Sequence, residues 1–525
     1  MKKTYNYIIL FIFLFFSTKH IAQTNIFSKV IYHLTTGING NSICNAHDNS
    51  TYIVGSFDFN YPILLKIDSA ANVLWSKQIT ISGFNSTFNV IKPTNDSCFI
   101  IAGSLNNSLS GKQDVFLVKI NAVGDTLWTR EISHTDDSFA YDIQQTADSG
   151  FVITGYIQNS TTPLTTVFLT KTDSIGTVQW NQKIVVGNYS NYCSSVKLTN
   201  DGGYAIFMSF TNNLPWEEGA AILKFNSTGV FQWANKYDDG TTAPSNRAID
   251  MDITPSGIFC YSTNNQMVVF MKLDTAGTVI SDTSYYHYVL GAWDNQVVSK
   301  LIKTLDGNYI LATGASNSHT FGDVMKVDTS GNVIWEHILN SDPIMIIEAK
   351  DSGYTILSTG PIFGVRSPSP GSNDQIGIIK TDSLGIGINC INPYPSGSTS
   401  ISLIATSISP SITSASALNY RTPITFSSPP FISELGCVTF FGGIEENSSN
   451  SVSIFPNPST SSFTFSGLQN ECVIEIYDVL GNTIYTTNTS EEKTIIDLSK
   501  QSTGVYFYRI TGKNNFIENG KISLQ

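Results

Sequence analysis

Three pairs of adjacent acidic residues are the side chains whose type and spacing could do chemistry in this sequence. The pairs are Asp136-Asp137, Glu217-Glu218 and Asp238-Asp239. A glycoside hydrolase needs two carboxyl groups about 5 to 9 Å apart in space, which such pairs could supply. Solvated loop charges are the preferred interpretation, because the sequence holds no nucleophile motif and no phosphate-binding glycine loop. We therefore predict no catalytic residue.

The sequence also contains no recognisable motif for binding a metal or a cofactor. The histidines after the predicted signal peptide, residues 1–22, are scattered, at His33, His47, His134, His287, His319 and His337. The seven cysteines show no Cys-x-x-Cys spacing, and the recurring Asp-x-x-Gly segments lack the alternating oxygen ligands of a calcium loop. The sequence therefore predicts no metal and no cofactor.

Aromatic and acidic residues concentrate in loops whose sequences differ along the chain. Aromatic faces stack on sugar rings and carboxylates accept hydrogen bonds from hydroxyls, so these loops indicate a surface that binds a glycan or a surface protein. Aromatic packing within the loops themselves is the competing interpretation, and a polysaccharide-degrading enzyme is the alternative function. The predicted binding residues are Phe57, Asp58, Tyr61, Trp216, Glu217, Tyr237, Asp238, Tyr286, Trp293 and Asp294.

These loops connect the strands of a repeat that occurs seven times. One clear copy runs from Asp114 to Trp128, and counted from Lys119 it has Asp or Asn at +2, Gly at +5 and Trp at +9. The lysine recurs at Lys66, Lys119, Lys171, Lys224, Lys272, Lys326 and Lys380. A period of about 50 residues is typical of propellers and solenoids. Each copy shows four short strands with Asp and Gly turns, which predicts an all-β, seven-bladed β-propeller of four-stranded blades over residues 23–390.

Repeated residues are expected to serve the scaffold. An Asp precedes the second strand in six copies, which predicts a repeated Lys–Asp pair, and the repeated Trp is expected to pack between blades. The Asp residues are Asp48, Asp96, Asp148, Asp201, Asp306 and Asp351, and the Trp residues are Trp75, Trp128, Trp180, Trp233 and Trp335. Asn25 to Ile31 resembles a fourth strand with Phe27 in the Trp place. We predict that this N-terminal strand completes blade seven and closes the ring.

The N-terminus predicts export. Lys2 and Lys3 precede an apolar run from Ile8 to Phe16, which is typical of a secretory signal peptide, here residues 1–22. No later segment is long and apolar enough to span a bilayer. A net charge of −12 and a pI near 5.0 argue against a nucleic-acid partner. The mature protein is expected to be secreted or to lie at the cell surface, without a transmembrane segment.

Residues 391–450 differ from the rest in composition. From Ser383 to Ser433 the only charged residue is Arg421, and Ser, Thr, Ile and Pro dominate. Such a segment is a linker or a β appendage. Cys390 and Cys437 flank it and could form a disulfide outside the cell.

The last 75 residues, 451–525, carry seven short alternating runs that predict a small immunoglobulin-like β-sandwich. Four ordered motifs follow one another there: Phe455-Pro456-Asn457-Pro458, Tyr477-Asp478 to Gly481, Gly504-Val505-Tyr506 and Gly520-Lys521-Ile522. This pattern resembles the type A C-terminal sorting domain of type IX secretion cargo. The predicted sorting-signal residues are Pro456, Asn457, Pro458, Tyr477, Asp478, Gly481, Gly504, Tyr506, Gly520 and Lys521.

The resemblance implies two partners, the type IX secretion machinery and its sortase-like peptidase. It implies passage across the outer membrane, removal of the tail, and then release or attachment to surface lipopolysaccharide. The terminal Ser523-Leu524-Gln525 is less apolar than the ending usual in such domains. The repeats resemble the propeller repeats of secreted bacterial proteins of the same kind, from about Ile26 to Cys390.

Overall fold

The computed structural model describes most of the chain after residue 25. The described ranges are 26–32, 37–57, 61–80, 86–107, 111–162, 164–213, 216–238, 246–264, 267–286, 298–314, 322–339, 341–359, 375–387, 391–392, 398–399, 404–407, 411–414, 418–420, 425–427, 432–435, 452–468, 471–478, 482–512 and 517–525. The predicted signal peptide, Cys390 and Cys437 lie outside these ranges. Contact density divides the chain into two units, Met1–Val438 and Thr439–Gln525.

The repeats form seven antiparallel sheets in the first unit. Sheet 1 contains β2 (Ile38–Asn45), β3 (Thr51–Phe57), β4 (Tyr61–Ile67) and β5 (Val73–Thr80); sheet 2 contains β6 (Thr87–Pro93), β7 (Phe99–Asn107), β8 (Lys112–Ile120) and β9 (Thr126–Ser133). Sheet 3 contains β10 (Asp137–Gln145), β11 (Phe151–Gln158), β12 (Thr165–Thr172) and β13 (Val178–Val185); sheet 4 contains β14 (Ser190–Leu198), β15 (Tyr204–Asn213), β16 (Trp216–Phe225) and β17 (Phe231–Asp238).

The remaining repeats continue the pattern. Sheet 5 contains β18 (Asn246–Thr254), β19 (Gly257–Asn264), β20 (Met267–Leu273) and β21 (Val279–Tyr286); sheet 6 contains β22 (Val298–Lys303), β23 (Tyr309–Gly314), β24 (Gly322–Val327) and β25 (Val333–Leu339). Sheet 7 contains β26 (Asp342–Glu348), β27 (Tyr354–Thr359), β28 (Ile376–Thr381) and β1 (Phe27–Tyr32). No helix occurs in the described part of the chain. The all-β prediction is confirmed, and seven such sheets are consistent with a propeller.

The N-terminal strand β1 is the fourth repeat strand of sheet 7. It pairs antiparallel with β28, with Phe27 opposite Lys380 and Ile31 opposite Ile376. Phe27 shares an apolar core with residues of sheets 1 and 7, including Ile67 and Leu357. Sheet 7 therefore takes strands from both ends of the repeat region.

A fifth strand joins every sheet and corrects the four-strand prediction. Residues 391–435 supply these strands in sequence order to sheets 6, 5, 4, 3, 2, 1 and 7. They are β29 (Ile391–Asn392), β30 (Ser398–Thr399), β31 (Ile404–Ser407), β32 (Ser411–Ser414), β33 (Leu418–Tyr420), β34 (Thr425–Ser427) and β35 (Ile432–Leu435). Each pairs antiparallel with the fourth repeat strand of its sheet. These strands cover backbone edges that the repeats alone leave unpaired.

Turn chemistry explains the repeated Asp and Gly. In sheet 3, the Asp173 carboxylate accepts hydrogen bonds from the amides of Ile175 and Thr177. Gly176 then adopts φ +80°, which favours glycine. A Cβ there would also lie 3.0 Å from the Trp128 ring of sheet 2. The turn thus needs glycine both for its conformation and to receive the indole of the preceding sheet.

Two predictions about the repeated residues are confirmed. Trp180 and Trp335 lie against Gly229 and Gly385 of the following sheets, as Trp128 does against Gly176. Six Lys–Asp ion pairs form within the sheets, with Nζ–Oδ distances of 2.5 to 2.9 Å. Sheet 5 has no Asp at this place, and Lys272 Nζ lies 5.6 Å from the centre of the Phe259 ring instead.

The second unit contains two antiparallel sheets. One has the order β36 (Ser453–Phe455), β37 (Ser462–Ser466), β40 (Lys493–Asp497), and the other has the order β39 (Thr483–Thr489), β38 (Cys472–Tyr477), β41 (Gly504–Thr511), β42 (Ile517–Leu524). Phe463 and Phe465 of the first sheet share one core with Ile474 and Ile510 of the second. No helix in the described residues is long and apolar enough to cross a membrane.

Candidate functional site

All seven first strands of the sheets line one cavity of about 380 Å³, which we call the hub cavity. Each first strand contains a β-bulge, and the bulged residue lines this cavity. The bulged residues are Asn41, Asn89, Tyr141, Ser194, Ile249, Lys300 and Ile344. A bulge removes one residue from the ladder and re-aims its side chain. The scaffold therefore presents one unrepeated side chain per sheet to the hub cavity.

Several of these side chains also link neighbouring sheets. Asn41 Nδ2 donates to the carbonyl oxygen of Phe88 (2.8 Å), and Asn89 Nδ2 donates to that of Ala140 (2.8 Å). Ser194 Oγ donates to the carbonyl oxygen of Ala248 at 2.6 Å. These contacts fix the polar lining in place, as a preorganised binding site requires.

An aromatic cluster adjoins the hub cavity through Tyr141. The Tyr156 ring lies 5.5 Å, centre to centre, from both the Tyr141 and the Tyr192 rings, and Phe139 lies 5.0 Å from Tyr156. Tyr141 is 42% exposed and Tyr192 39% exposed. Tyr156 stands near the end of β11, beside the 159–164 segment that joins the second and third strands of sheet 3. The cluster therefore lies toward the ends of the sheets at which the second and third strands are joined, which we call the variable-loop face.

Two fully buried aspartates follow bulges, and lysines neutralise both. The Lys92 Nζ lies 2.5 Å from the Asp142 carboxylate, and the Lys197 Nζ lies 3.2 Å from that of Asp250. Backbone amides of Ile143 and Val196 also donate to Asp142. Burial raises the pKa of Asp142, but the charges of Lys92, Lys300 and Lys197 outweigh it and hold the pKa at about 2. Asp142 is therefore ionised and fully engaged.

The predicted loop residues lie apart from the hub cavity where the structure describes them. Phe57 and Tyr61 face each other at the end of the β3–β4 hairpin, and both are half-buried. The buried Tyr237 hydroxyl donates to the carbonyl oxygen of Gly277 at 2.8 Å, a contact between sheets 4 and 5. Only the backbones of Trp216, Glu217, Asp238 and Tyr286 are described, and Asp58, Trp293 and Asp294 lie outside the described residues. Binding by these ten residues stays a prediction.

The members of the acidic pairs whose side chains the structure describes form hydrogen bonds or an ion pair within the protein. Asp136 accepts a hydrogen bond from Ser160 Oγ (2.5 Å), and Asp137 accepts one from the Gln113 amide (2.8 Å). Glu218 forms an ion pair with Arg247, with an Nη2–Oε1 distance of 2.7 Å. None of the described residues that line the hub cavity is acidic. Within the described ranges, no group of three His, Cys, Asp or Glu side chains could hold a metal ion.

One carboxyl pair was not expected from the sequence. Buried Asp114 and Glu131 are hydrogen-bonded to each other, and Asn107 Nδ2 donates to both. Burial and the hydrogen bond with Glu131 raise the pKa of Asp114. A direct hydrogen bond leaves no room between the carboxyl groups for a glycosidic bond. This pair therefore affects stability rather than hydrolysis.

Sequence reasoning missed the hub residues. Tyr141, Ser194 and Lys300 belong to first strands, whereas attention to variable loops favoured the ends of the sheets. The break in alternation that marks this bulge is visible only in the burial pattern of the structure: Ala140 and Asp142 are both buried around exposed Tyr141, and Ile143 is buried directly after Asp142.

The first and the last of the tail motifs meet where β42 passes the turn that follows β36. Asn457 Nδ2 donates to the carbonyl oxygen of Lys521, and Asn457 Oδ1 accepts from the Ser523 amide, both at 3.0 Å. A Cβ on Gly520 would lie 2.7 Å from ring atoms of Tyr508, so this ring requires glycine there. Pro456 and Pro458 both follow cis peptide bonds.

The other tail residues stabilise turns and strand ends. The Asp478 carboxylate accepts from the Asn482 amide (2.8 Å), and Tyr506 Oη donates to the Ser502 carbonyl oxygen (2.5 Å). Tyr477 Oη donates to Glu475 (2.8 Å). Gly504 opens β41 opposite Leu524, and Gly481 lies outside the described residues.

Comparison with known protein families gives a match for the tail. Residues 453–524 match the family described as the secretion system C-terminal sorting domain. The chain is 40% identical over 76 residues to an endo-acting ulvan lyase of Formosa agariphila, which covers 14% of this chain and 15% of the lyase. The chain thus spans only a small part of that relative.

Solved structures resemble the chain weakly. A Dyadobacter fermentans protein described as of unknown function has a TM-score of 0.40 at 10% identity, covering 68% of this chain and 98% of its own. PorZ, a surface component of the type IX secretion system of Porphyromonas gingivalis, has a TM-score of 0.19 at 10% identity, covering 93% of this chain and 86% of its own. The extracellular domain of a putative one-component system of B. thetaiotaomicron has a TM-score of 0.20 at 11% identity, covering 93% and 81%. Such low scores carry no functional information.

The sorting-domain match agrees with the motif positions and with the Asn457 contacts to the last strand. It identifies the chain as a type IX secretion cargo protein that is exported and is secreted or held at the cell surface.

Proposed function

We propose that this protein is a secreted or surface-bound binding protein, whose seven sheets form a closed propeller that holds a saccharide at the hub cavity. Pairing of β1 with β28 and the apolar core shared by sheets 7 and 1 support closure. A cavity lined by all seven first strands is what a closed ring produces at its centre.

The observation that carries the binding proposal is the exposed tyrosine cluster beside the hub cavity. Aromatic rings supply apolar faces for the C–H faces of sugars, and the adjoining Asn41, Asn89 and Ser194 supply hydrogen-bonding groups. A volume of about 380 Å³ lies within the range of small-ligand pockets. The predicted loop residues, if they also bind, extend the proposal to a longer glycan or a surface protein.

A polysaccharide array scored for retention and for release of reducing ends tests this function. Replacing Tyr141 and Tyr192 together by Ala is expected to weaken retention about 30-fold, because each exposed ring contributes about 1 kcal/mol. Tyr61→Ala is the comparison variant, since this half-buried aromatic residue lies in a predicted loop away from the hub.

Three outcomes would contradict parts of the proposal. Loss of binding with Tyr61→Ala but not with the double variant would place the site in the loops. Release of reducing ends would support the polysaccharide-degrading alternative. An absence of retention on every polysaccharide would rule out saccharide binding and leave a surface protein as the partner class.

A further inference from the structure

The hub cavity has a positively charged lining residue although the protein is acidic. Of the described residues that line it, only Lys300 has a charged side chain. Its Nζ donates to the carbonyl oxygen of Ser194 at 3.3 Å, which is a neutral acceptor. The chain as a whole has a formal charge of −12. Any attraction for an anion must therefore come from this local arrangement.

The two buried aspartates beside the cavity pair with lysines other than Lys300. Asp142 forms its ion pair with Lys92, and Asp250 forms its ion pair with Lys197. The amides of Met251 and Leu301 also donate to Asp250, at 2.9 and 3.3 Å. Asp252 also acts on Lys197, so three carboxylates stand beside three lysines. Among the described residues Lys300 forms no ion pair, so its ammonium group is available to a ligand.

Burial strengthens the interactions among these charges. Burial lowers the pKa of Lys92, and the positive charges of Lys197 and Lys300 lower it further, although Asp142 raises it. The three ammonium groups therefore act on one another. Charges interact more strongly where protein replaces water around them, so an incoming anion gains more here than at the surface.

We propose that the hub cavity binds the acidic group of a saccharide, a carboxylate or a sulfate ester, through Lys300 Nζ while the sugar ring packs on Tyr141. This inference rests on the saccharide-binding function proposed above and specifies its ligand. The cavity of about 380 Å³ is at the small end of ligand sites, which suits one terminal acidic residue or a disaccharide. A long polyanion would meet the repulsion of the negative surface.

Titration calorimetry with three matched disaccharides tests the proposal: cellobiose, cellobiouronic acid and cellobiose 6′-sulfate. Wild-type protein is expected to bind at least one acidic disaccharide about tenfold more tightly than cellobiose. Lys300→Gln is expected to remove that preference and to leave cellobiose binding within about twofold. Lys300→Arg retains the charge and should keep the preference. Lys303→Gln, at an exposed position of the same strand, is the matched control and should behave as wild type.

The outcomes separate this proposal from the broader function. Binding of cellobiose without any acidic preference would overturn the role of Lys300 and leave saccharide binding intact. A preference that survives in Lys300→Gln would overturn it as well. Failure of all three sugars, and of every polysaccharide on the array, would contradict both proposals. The preference itself should decrease between 50 mM and 500 mM salt, because ions screen the ammonium charge.

Discussion

At the scale of single residues, the buried Asp114–Glu131 pair couples proton binding to folding. Glu131 hydrogen-bonds Asp114 and burial disfavours a second negative charge, so the folded protein holds a proton on Asp114 more tightly than the unfolded chain does. A raised folded-state pKa gives stability that is complete below the unfolded pKa of about 3.9 and is lost as the pH rises through the folded pKa. The pair therefore favours mildly acidic conditions.

Asp114→Asn is expected to reduce this pH dependence. The variant keeps a neutral hydrogen-bonding side chain beside Glu131. Its free energy of unfolding should therefore be about 1 to 3 kcal/mol higher than that of wild type between pH 5 and pH 8. Urea unfolding across that range measures the difference. Glu491→Gln, an exposed change in the tail, is the control. If the free energy of unfolding of wild type and Asp114→Asn changed in parallel with pH, the folded protein would not hold an extra proton on Asp114.

The sequence predicts the structural position of some single residues but not of others. Lys171 and Asp148 stand at fixed distances from turns, so their ion pair follows from the repeat alone. Tyr141 does not, because it is unpaired in a bulge between Ala140 and Asp142. Bulges depend on the ladder with the neighbouring strand, and strict alternation assigns the following residues to the wrong side.

At the scale of elements, the junction of sheets 7 and 1 is packed differently from the five junctions in which a Trp lies over glycine. Phe27 holds the place of the repeated Trp, and Thr51, opposite Ile67, holds the register position that Tyr204 occupies opposite Phe225. The turn position that is glycine elsewhere is Ala71, at φ +56°. A cavity of about 180 Å³ remains there. Smaller side chains at Phe27 and Thr51 thus accompany a larger residue in the turn.

This arrangement predicts that Phe27 and Ala71 are energetically coupled. Phe27→Trp should destabilise the protein, because the indoles at five other junctions lie over glycine and the Ala71 methyl group occupies that space. Adding Ala71→Gly should recover most of the loss, giving a coupling energy of about 1 kcal/mol or more in a double-mutant cycle. Urea unfolding of the four proteins measures it, and Phe27→Tyr is the control for ring chemistry. Additive effects would contradict the contact and, with it, closure of the ring by β1.

The fifth strands mark the limit of prediction for elements. The repeat strands follow from local alternation and turn residues, whereas β29 to β35 have two to four residues each. Their partners lie far away in sequence, for example Ser411–Ser414 against residues 182–185. Such short strands gain their backbone partners only after the sheets exist, because an isolated strand of this length is not stable. The low charge of residues 391–435 is consistent with paired edges, but it did not specify them.

At the scale of the whole molecule, the two units were predictable to different degrees. Three of the alternating runs predicted in the tail cover Ser462 to Ser466, Val473 to Asp478 and Val505 to Thr511. The first coincides with β37 (Ser462–Ser466), and the others agree within one residue with β38 (Cys472–Tyr477) and β41 (Gly504–Thr511). Their alternation is local and their turns are short. The hub cavity, by contrast, takes residues from seven strands spread from Asn41 to Met345. No local pattern specifies such a set, because it depends on how the sheets assemble.

Because export and binding are assigned to different units, removing the tail should separate them. Deleting residues 451–525 is expected to leave the protein in the periplasm while the first unit keeps its melting temperature within about 2 °C, since that unit has its own apolar cores between sheets. Cell fractionation and thermal melts measure the two effects. Asn457→Ala, which removes two hydrogen bonds to the last strand, should reduce export without changing the melt of the first unit. Normal surface or medium levels after the deletion would contradict the sorting role, and a lowered melting temperature would show that the first unit depends on the tail for stability.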